Sequence, residues 1–185
     1  MNNLKRMSKI FALGLTLSCA SLNGSNLEGS NEVTTVENVD LERYMGTWYE
    51  IASFPQRFAK NCTASKAEYK LIKKTERVQV RNSCRLYTVD GKLKVANGIA
   101  KIADKTTNSK LKVSFFWPFF GDYWIIDLDR EYKWAVVGSP DRDSLWVLSR
   151  TKQMDESLYS EIINRVYLDQ NFDITRLVKT PQPND

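Results

Sequence analysis

Histidine is absent from the 185-residue chain. Without an imidazole there is no Ser-His-Asp or Cys-His nucleophile, no His-based zinc site, no axial His for haem and no ordinary general base near neutral pH. Most hydrolase chemistries are excluded on that ground. Cysteine is scarce at 3 residues, and Gly (8) and Pro (5) are few, so the chain is neither a disulfide-dense miniprotein nor a collagenous one. Long hydrophobic runs are missing as well. The one run of note, Ile10 to Leu17, is eight residues long, far short of the ~20 needed to cross a bilayer as a helix. Basic blocks are also lacking. The formal charge is +5, but Lys5, Arg6 and Lys9 sit ahead of that apolar run, and the remainder has no stripe suited to tracking phosphates. Nucleic acid is not expected as a partner.

What remains is the composition of an ordinary globular domain, 42% hydrophobic and 26% charged. A domain of this size buries about 70% of the surface its unfolded chain exposes, so it needs no metal staple, and no cofactor is expected. The cationic start, short apolar run and small residues Ser18-Cys19-Ala20-Ser21 read as a signal peptide over residues 1–18. Cys19 suits a lipoprotein signal whose new N-terminal Cys carries acyl chains, placing the protein on the periplasmic face of an outer membrane. Ser18-Cys19-Ala20 also fits ordinary cleavage after Ala20, which would leave a soluble periplasmic protein. Residues 19–38 are Ser/Asn/Glu/Thr-rich without an aromatic and read as a flexible tether, followed by one domain over 39–185. An exported chain meets an oxidising compartment, where Cys62 and Cys84 can pair.

Short strand-like runs punctuated by turn residues fill the domain: about 46–53, 64–72, 77–86, 92–103, 110–116, 122–129, 132–139 and 144–150. Asp90-Gly91, Thr107-Asn108-Ser109 and Ser139-Pro140-Asp141 join them, which argues an antiparallel meander closing as a barrel or sandwich. Val39 to Tyr44 reads as a short helical turn. Asp155 opens the one long helix, with Leu158, Tyr159, Ile162, Ile163 and Val166 on one face. Phe172 to Leu177 reads as a terminal strand.

Three separated patches then carry a family resemblance. Gly46-Thr47-Trp48-Tyr49-Glu50-Ile51-Ala52 resembles the lipocalin G-x-W motif, Asp129-Arg130-Glu131-Tyr132 its D-x-x-Y turn, and Ser149-Arg150-Thr151 supplies the Arg at the end of strand eight. With 111–116 and 129–151, they resemble the bacterial outer-membrane lipoprotein lipocalins, relatives of apolipoprotein D. The resemblance implies an all-β fold: an eight-stranded antiparallel up-and-down barrel with one C-terminal helix outside. It also implies a function, binding, storing or transporting fatty acids or lysophospholipids in the barrel.

In such a barrel Gly46, Trp48, Asp129, Tyr132 and Arg150 gather at one end, where the guanidinium can stack on the indole and donate to backbone carbonyls, closing that end. The loops at the other end form a mouth. There Phe115, Phe116, Trp117, Pro118, Phe119 and Phe120 are six consecutive bulky or rigid residues, and Phe54, Phe58 and Tyr87 are expected to join them around a hydrophobic ligand. That aromatic mouth could also pair with a second copy as a homodimer. If strands two and three turn tightly around Lys73-Lys74, Cys62 and Cys84 fall opposite each other, favouring a disulfide. Two other readings are weaker: an isomerase-like enzyme using a barrel Cys needs a free thiol, and Asp127 with Asp129 as an acid/base pair competes with the role of Asp129 in its turn.

Overall fold

A computed structural model describes residues 32–184. The predicted signal peptide, Cys19 and the first part of the expected tether lie outside the described residues. A single-turn helix α1 (Leu41–Tyr44), N-capped by the Asp40 carboxylate, leads into strand β1 (Gly46–Ser53). Then come β2 (Cys62–Ile72), β3 (Arg77–Leu86), β4 (Leu93–Ile102), β5 (Lys110–Phe116), β6 (Phe119–Leu128), β7 (Trp134–Gly138) and β8 (Leu145–Ser149). Each pairs antiparallel with the next, and β1 pairs with both β8 and β2, so the eight strands close on themselves. Helix α2 (Glu156–Gln170) packs outside, and a short β9 (Val178–Lys179) adds to the free half of β1.

Period-two alternation divides the apolar residues between two cores. Trp48, Val78, Val80, Ala100, Leu111, Ile125, Ala135, Val137 and Leu148 fill the lumen with Tyr44. Ile51, Ala52, Phe54, Ile126, Val136, Leu145 and Val147 face outward under Tyr159, Ile162 and Val166 of α2. Strand β7 reads as a continuous apolar run because both its faces are covered. Asp155 caps α2 by accepting from Ser157 N (2.9 Å) and Leu158 N (3.1 Å), satisfying two of the helix's orphan donors.

The structure corrects several expectations. The tether does not reach residue 38: Val33 and Val39 are buried, Val36 N donates to Ile125 O, and the Thr34 and Gln170 side chains bond each other. Valines at positions 33, 36 and 39 give this otherwise polar stretch enough apolar area to dock. Strand β6 starts at Phe119 rather than 122, so the aromatic run is the tip of a β5–β6 hairpin turning at Trp117-Pro118, a cis peptide. Phe172–Leu177 forms no strand; a 3₁₀ turn at Ile174–Arg176 precedes β9.

Cys62 and Cys84 form a disulfide with Cα atoms 5.5 Å apart, although the register that suggested it differs. Lys73–Thr75 is a 3₁₀ turn followed by left-handed Glu76 (φ 50°), so the connection is longer than a tight turn and Cys62 lies opposite Leu86. The cysteines are therefore diagonal neighbours. A bulge between Thr63 and Lys66, with Ala64 at φ 49°, interrupts the regular pairing beside them.

Candidate functional site

The connections β2–β3, β4–β5 and β6–β7 lie at the α1 end of the barrel. There the Trp48 indole is fully buried and donates to Tyr44 O at 2.8 Å. The Arg150 guanidinium lies 3.7 Å from the ring centroid. Its remaining donors reach Tyr132 O (3.2 Å), Thr47 O (2.8 Å) and Arg43 O (2.7 Å), so one fork ties β1, α1 and the β6–β7 turn together. Asp129 shapes that turn by accepting from Glu131 N and Lys133 N, both at 3.0 Å. Tyr132, left-handed at φ 59°, accepts from Asp40 N through its hydroxyl at 2.8 Å. Gly46 has φ 95°, a backbone conformation that suits glycine, and a Cβ there would stand in contact with Arg150 Nη1 at 3.4 Å. Asp127 faces away from Asp129, toward α2, accepting from Arg165 at 3.1 and 3.2 Å. The two carboxylates do not converge as an acid/base pair.

Within the lumen lies a small cavity of about 20 Å³, walled by Met45, Val78, Val80, Ala100, Leu111, Val113 and three tyrosines, Tyr44, Tyr69 and Tyr123. Tyr44 and Tyr123 share a hydroxyl bond of 2.8 Å, and Tyr123 bonds Tyr69 at 3.2 Å. Burial raises all three phenols, Tyr69 to about 12. Asn82, on the face of Val78 and Val80, keeps its buried Oδ1 without a hydrogen-bond partner among the described residues.

Glu50 shares the lumen face of β1 with Trp48, and its carboxylate accepts from Thr180 Oγ1 (2.5 Å) and Ser53 Oγ (3.2 Å). Burial raises its pKa, more than these two bonds lower it. The anion therefore costs stability at every pH above the folded-state value, and that cost vanishes as pH falls through it toward the ordinary 4.5. A Glu50→Gln protein, whose amide oxygen can keep both bonds, is expected to melt above wild type at pH 7–8, with the gap closing on acidification. Parallel melts across that range check this; equal melting at neutral pH would show that the carboxylate carries no such cost. Neither Glu50 nor the tyrosines emerge as site residues from the sequence, because none is a defining residue of the G-x-W, D-x-x-Y or strand-eight Arg motifs. Their only signal is a polar residue at a lumen-facing alternate position, legible once the register is known.

The opposite end carries most of the predicted aromatics. Phe116 (80% exposed), Trp117 (84%) and Phe119 (77%) project from the β5–β6 hairpin, and Phe58 and Tyr87 are exposed on the β1–β2 and β3–β4 loops. Those two loops are linked by Tyr87 N donating to Asn61 O at 2.7 Å, and Lys94 Nζ on β4 reaches Phe58 O at 2.7 Å. Phe115 lies across Gly98, while Phe120 turns to the outer wall with Lys101 Nζ 4.6 Å from its ring centroid. Phe54 is not at this rim. It is fully buried beneath α2, 6.3 Å from Phe172 between ring centroids.

Comparison with known proteins agrees with this architecture. The lipocalin-like domain family matches residues 39–182. Temperature-induced lipocalin-1 of Arabidopsis thaliana is 41% identical over 160 residues, covering 82% of this chain and 83% of that protein. Outer membrane lipoprotein Blc of Escherichia coli K12 is 41% identical over 152 residues, 82% of this chain and 84% of the relative. Among solved structures, insecticyanin from the tobacco hornworm Manduca sexta superposes with a TM-score of 0.65 at 21% identity, covering 82% of this chain and 85% of that one, a likeness of fold. The sealed Trp48–Arg150 end, the closed eight-stranded barrel and the match over residues 39–182 together establish that the chain belongs to the lipocalin family.

Proposed function

We propose that this protein is a lipid carrier of the bacterial cell envelope, taking fatty acids or lysophospholipids into the barrel through the aromatic end. The observation that carries the reading is an apolar lumen closed by Trp48 and Arg150 at one end and rimmed at the other by exposed Phe58, Tyr87, Phe116, Trp117 and Phe119. Rings suit such a rim because they combine large apolar area with tolerance of interfacial water. A straight chain gains about 0.8 kcal/mol per buried CH₂, so some twelve to sixteen carbons gain on the order of 10 kcal/mol before ordering costs. The cavity at about 20 Å³ is far below the ~300–1,000 Å³ of usual ligand sites, so lumen side chains must move apart for an acyl chain to run down from the aromatic rim.

An isomerase-like activity is disfavoured because the Cys62–Cys84 disulfide removes both barrel thiolates. The likeness to a protein named outer membrane lipoprotein supports acylation at Cys19 and a place on the periplasmic face of the outer membrane. A mouth-to-mouth homodimer through the hairpin is compatible with this arrangement.

Mass spectrometry of the protein extracted from its native host tests the lipid and the N-terminus together; a bound acyl lipid and an acylated Cys19 are expected. Trp117→Ser with Phe119→Ser is expected to weaken fatty-acid or lysophospholipid binding by about 1–3 kcal/mol through lost apolar area, with melting unchanged. Equal affinities in wild type and double variant would remove the rim from ligand binding; lost stability with affinity preserved would make the hairpin purely structural.

A further inference from the structure

Tyr44, Tyr69 and Tyr123 come from α1, β2 and β6 yet join their hydroxyls in one chain, Tyr44 to Tyr123 at 2.8 Å and Tyr123 to Tyr69 at 3.2 Å. Their rings pack as well: Tyr44 stacks on Tyr69 and Tyr69 meets Tyr123 edge-on, each at 6.1 Å between centroids. Each phenol carries a single hydrogen, so a chain of three with two internal bonds leaves one O–H hydrogen unspent among the described residues, whichever way the bonds run. The remaining residues of the pocket wall are apolar side chains. A donor left unpaired there costs free energy, and an incoming group with an acceptor oxygen removes that cost.

The charge state of the fitting group follows from the same surroundings. Burial raises all three phenols, and the Glu50 charge adds to the shift of Tyr69, while Glu50 is itself raised. Burial that disfavours the charged form of these groups disfavours a carboxylate beside them too, so an uncharged oxygen fits better.

We infer that Tyr44, Tyr69 and Tyr123 form a binding site for an uncharged oxygen, a hydroxyl or ketone, carried on the buried part of an acyl chain. Chain-oxygenated fatty acids are then preferred ligands, with the carboxylate left near the rim. A ligand hydroxyl accepts the unspent hydrogen and returns its own to a phenol oxygen that keeps a free lone pair. This rests on the acyl-binding reading above and adds which acyl chains the barrel selects.

The test compares ω-hydroxy acids of about ten to sixteen carbons with plain acids of equal length, by displacement titration of a fluorescent acyl probe, since the length series locates the hydroxyl without presupposing its depth. The proteins are wild type and the Tyr44→Phe/Tyr69→Phe/Tyr123→Phe variant. Replacing a whole hydroxyl network by rings of the same shape is close to neutral for folding, and melting verifies this. At one chain length or more, the ratio of hydroxy-acid to plain-acid affinity is expected to fall by about tenfold or more in the variant.

A second measurement needs wild type alone: the ketone stretch of a bound keto acid is expected at lower wavenumber than in hydrocarbon solvent. Plain acids that bind with an unchanged ratio at every length, or a ketone stretch equal to that in hydrocarbon, would overturn the tyrosine site and leave the acyl reading standing. Failure of both proteins to bind any acid of the series would overturn the acyl reading and this site with it.

Discussion

Trp48→Ala is expected to cost about 3–5 kcal/mol of folding stability, the range for deleting a fully enclosed large aromatic. Trp48 is 0% exposed, and truncation opens a cavity that its neighbours cannot collapse to fill, because β1 is held on both sides by β2 and β8. It also orphans Tyr44 O, which accepts from the indole at 2.8 Å. Arg150→Ala is expected to cost roughly 2–5 kcal/mol by a different route, leaving Tyr132 O, Thr47 O and Arg43 O without their charged donor. Because guanidinium and indole are in contact at 3.7 Å, the double variant should lose less than the sum of the singles. Arg150→Lys should recover only part of the loss, since an ammonium cannot reproduce the planar fork. Denaturant melts of all four proteins supply the cycle. Ligand affinity, measured on the folded fraction, should change little, because neither side chain lines the tyrosine pocket. Unchanged melting with abolished binding would place Trp48 and Arg150 in the ligand site instead.

The closed end was legible from sequence because its parts are local and rigid: a glycine before an indole, an acidic turn and an arginine at a strand end. Turn spacing alone left barrel and sandwich open, and the motif resemblance implied the barrel; the face of α2 followed from its period. Bulges hid the rest. Strict alternation from Trp48 and Glu50 turns Ala52 and Phe54 into the lumen, but the register of β1 against β8 shifts between Glu50 and Ala52, so both face α2. Asp127 is displaced the same way by the shift between Ile125 and Asp127 in β6, which hands it to Arg165. A single extra residue reverses every side chain beyond it, and neither segment carries a glycine or other marker of the bulge. The tyrosine chain was hidden for a different reason. Tyr44, Tyr69 and Tyr123 meet only through barrel closure, their separations in sequence being 54 and 79 residues, and no local pattern records such a meeting.

Phe172→Ala is expected to cost about 3–5 kcal/mol, as much as the barrel plug, although it lies outside the barrel in a stretch whose sequence suggested only a strand. The ring is 1% exposed in the core shared by β1, β6, β7, β8 and α2. Left-handed Asn171 (φ 55°) ends α2 and turns the chain back there. The ring lies directly over Gly138, where an added Cβ would come within 2.7 Å of Phe172 Cζ. Gly138→Ala alone should therefore destabilise by about 1–3 kcal/mol through overpacking, since the obstacle is a buried ring with little room to move. In the Phe172→Ala background the same methyl enters vacated space and should cost nothing or restore a fraction of the loss. The pair should thus show coupling of about 1–3 kcal/mol in the favourable direction, readable from four urea melts. Strictly additive losses would mean that the ring yields to the methyl, and that Phe172 holds α2 through Phe54 and its other neighbours rather than through the space over Gly138.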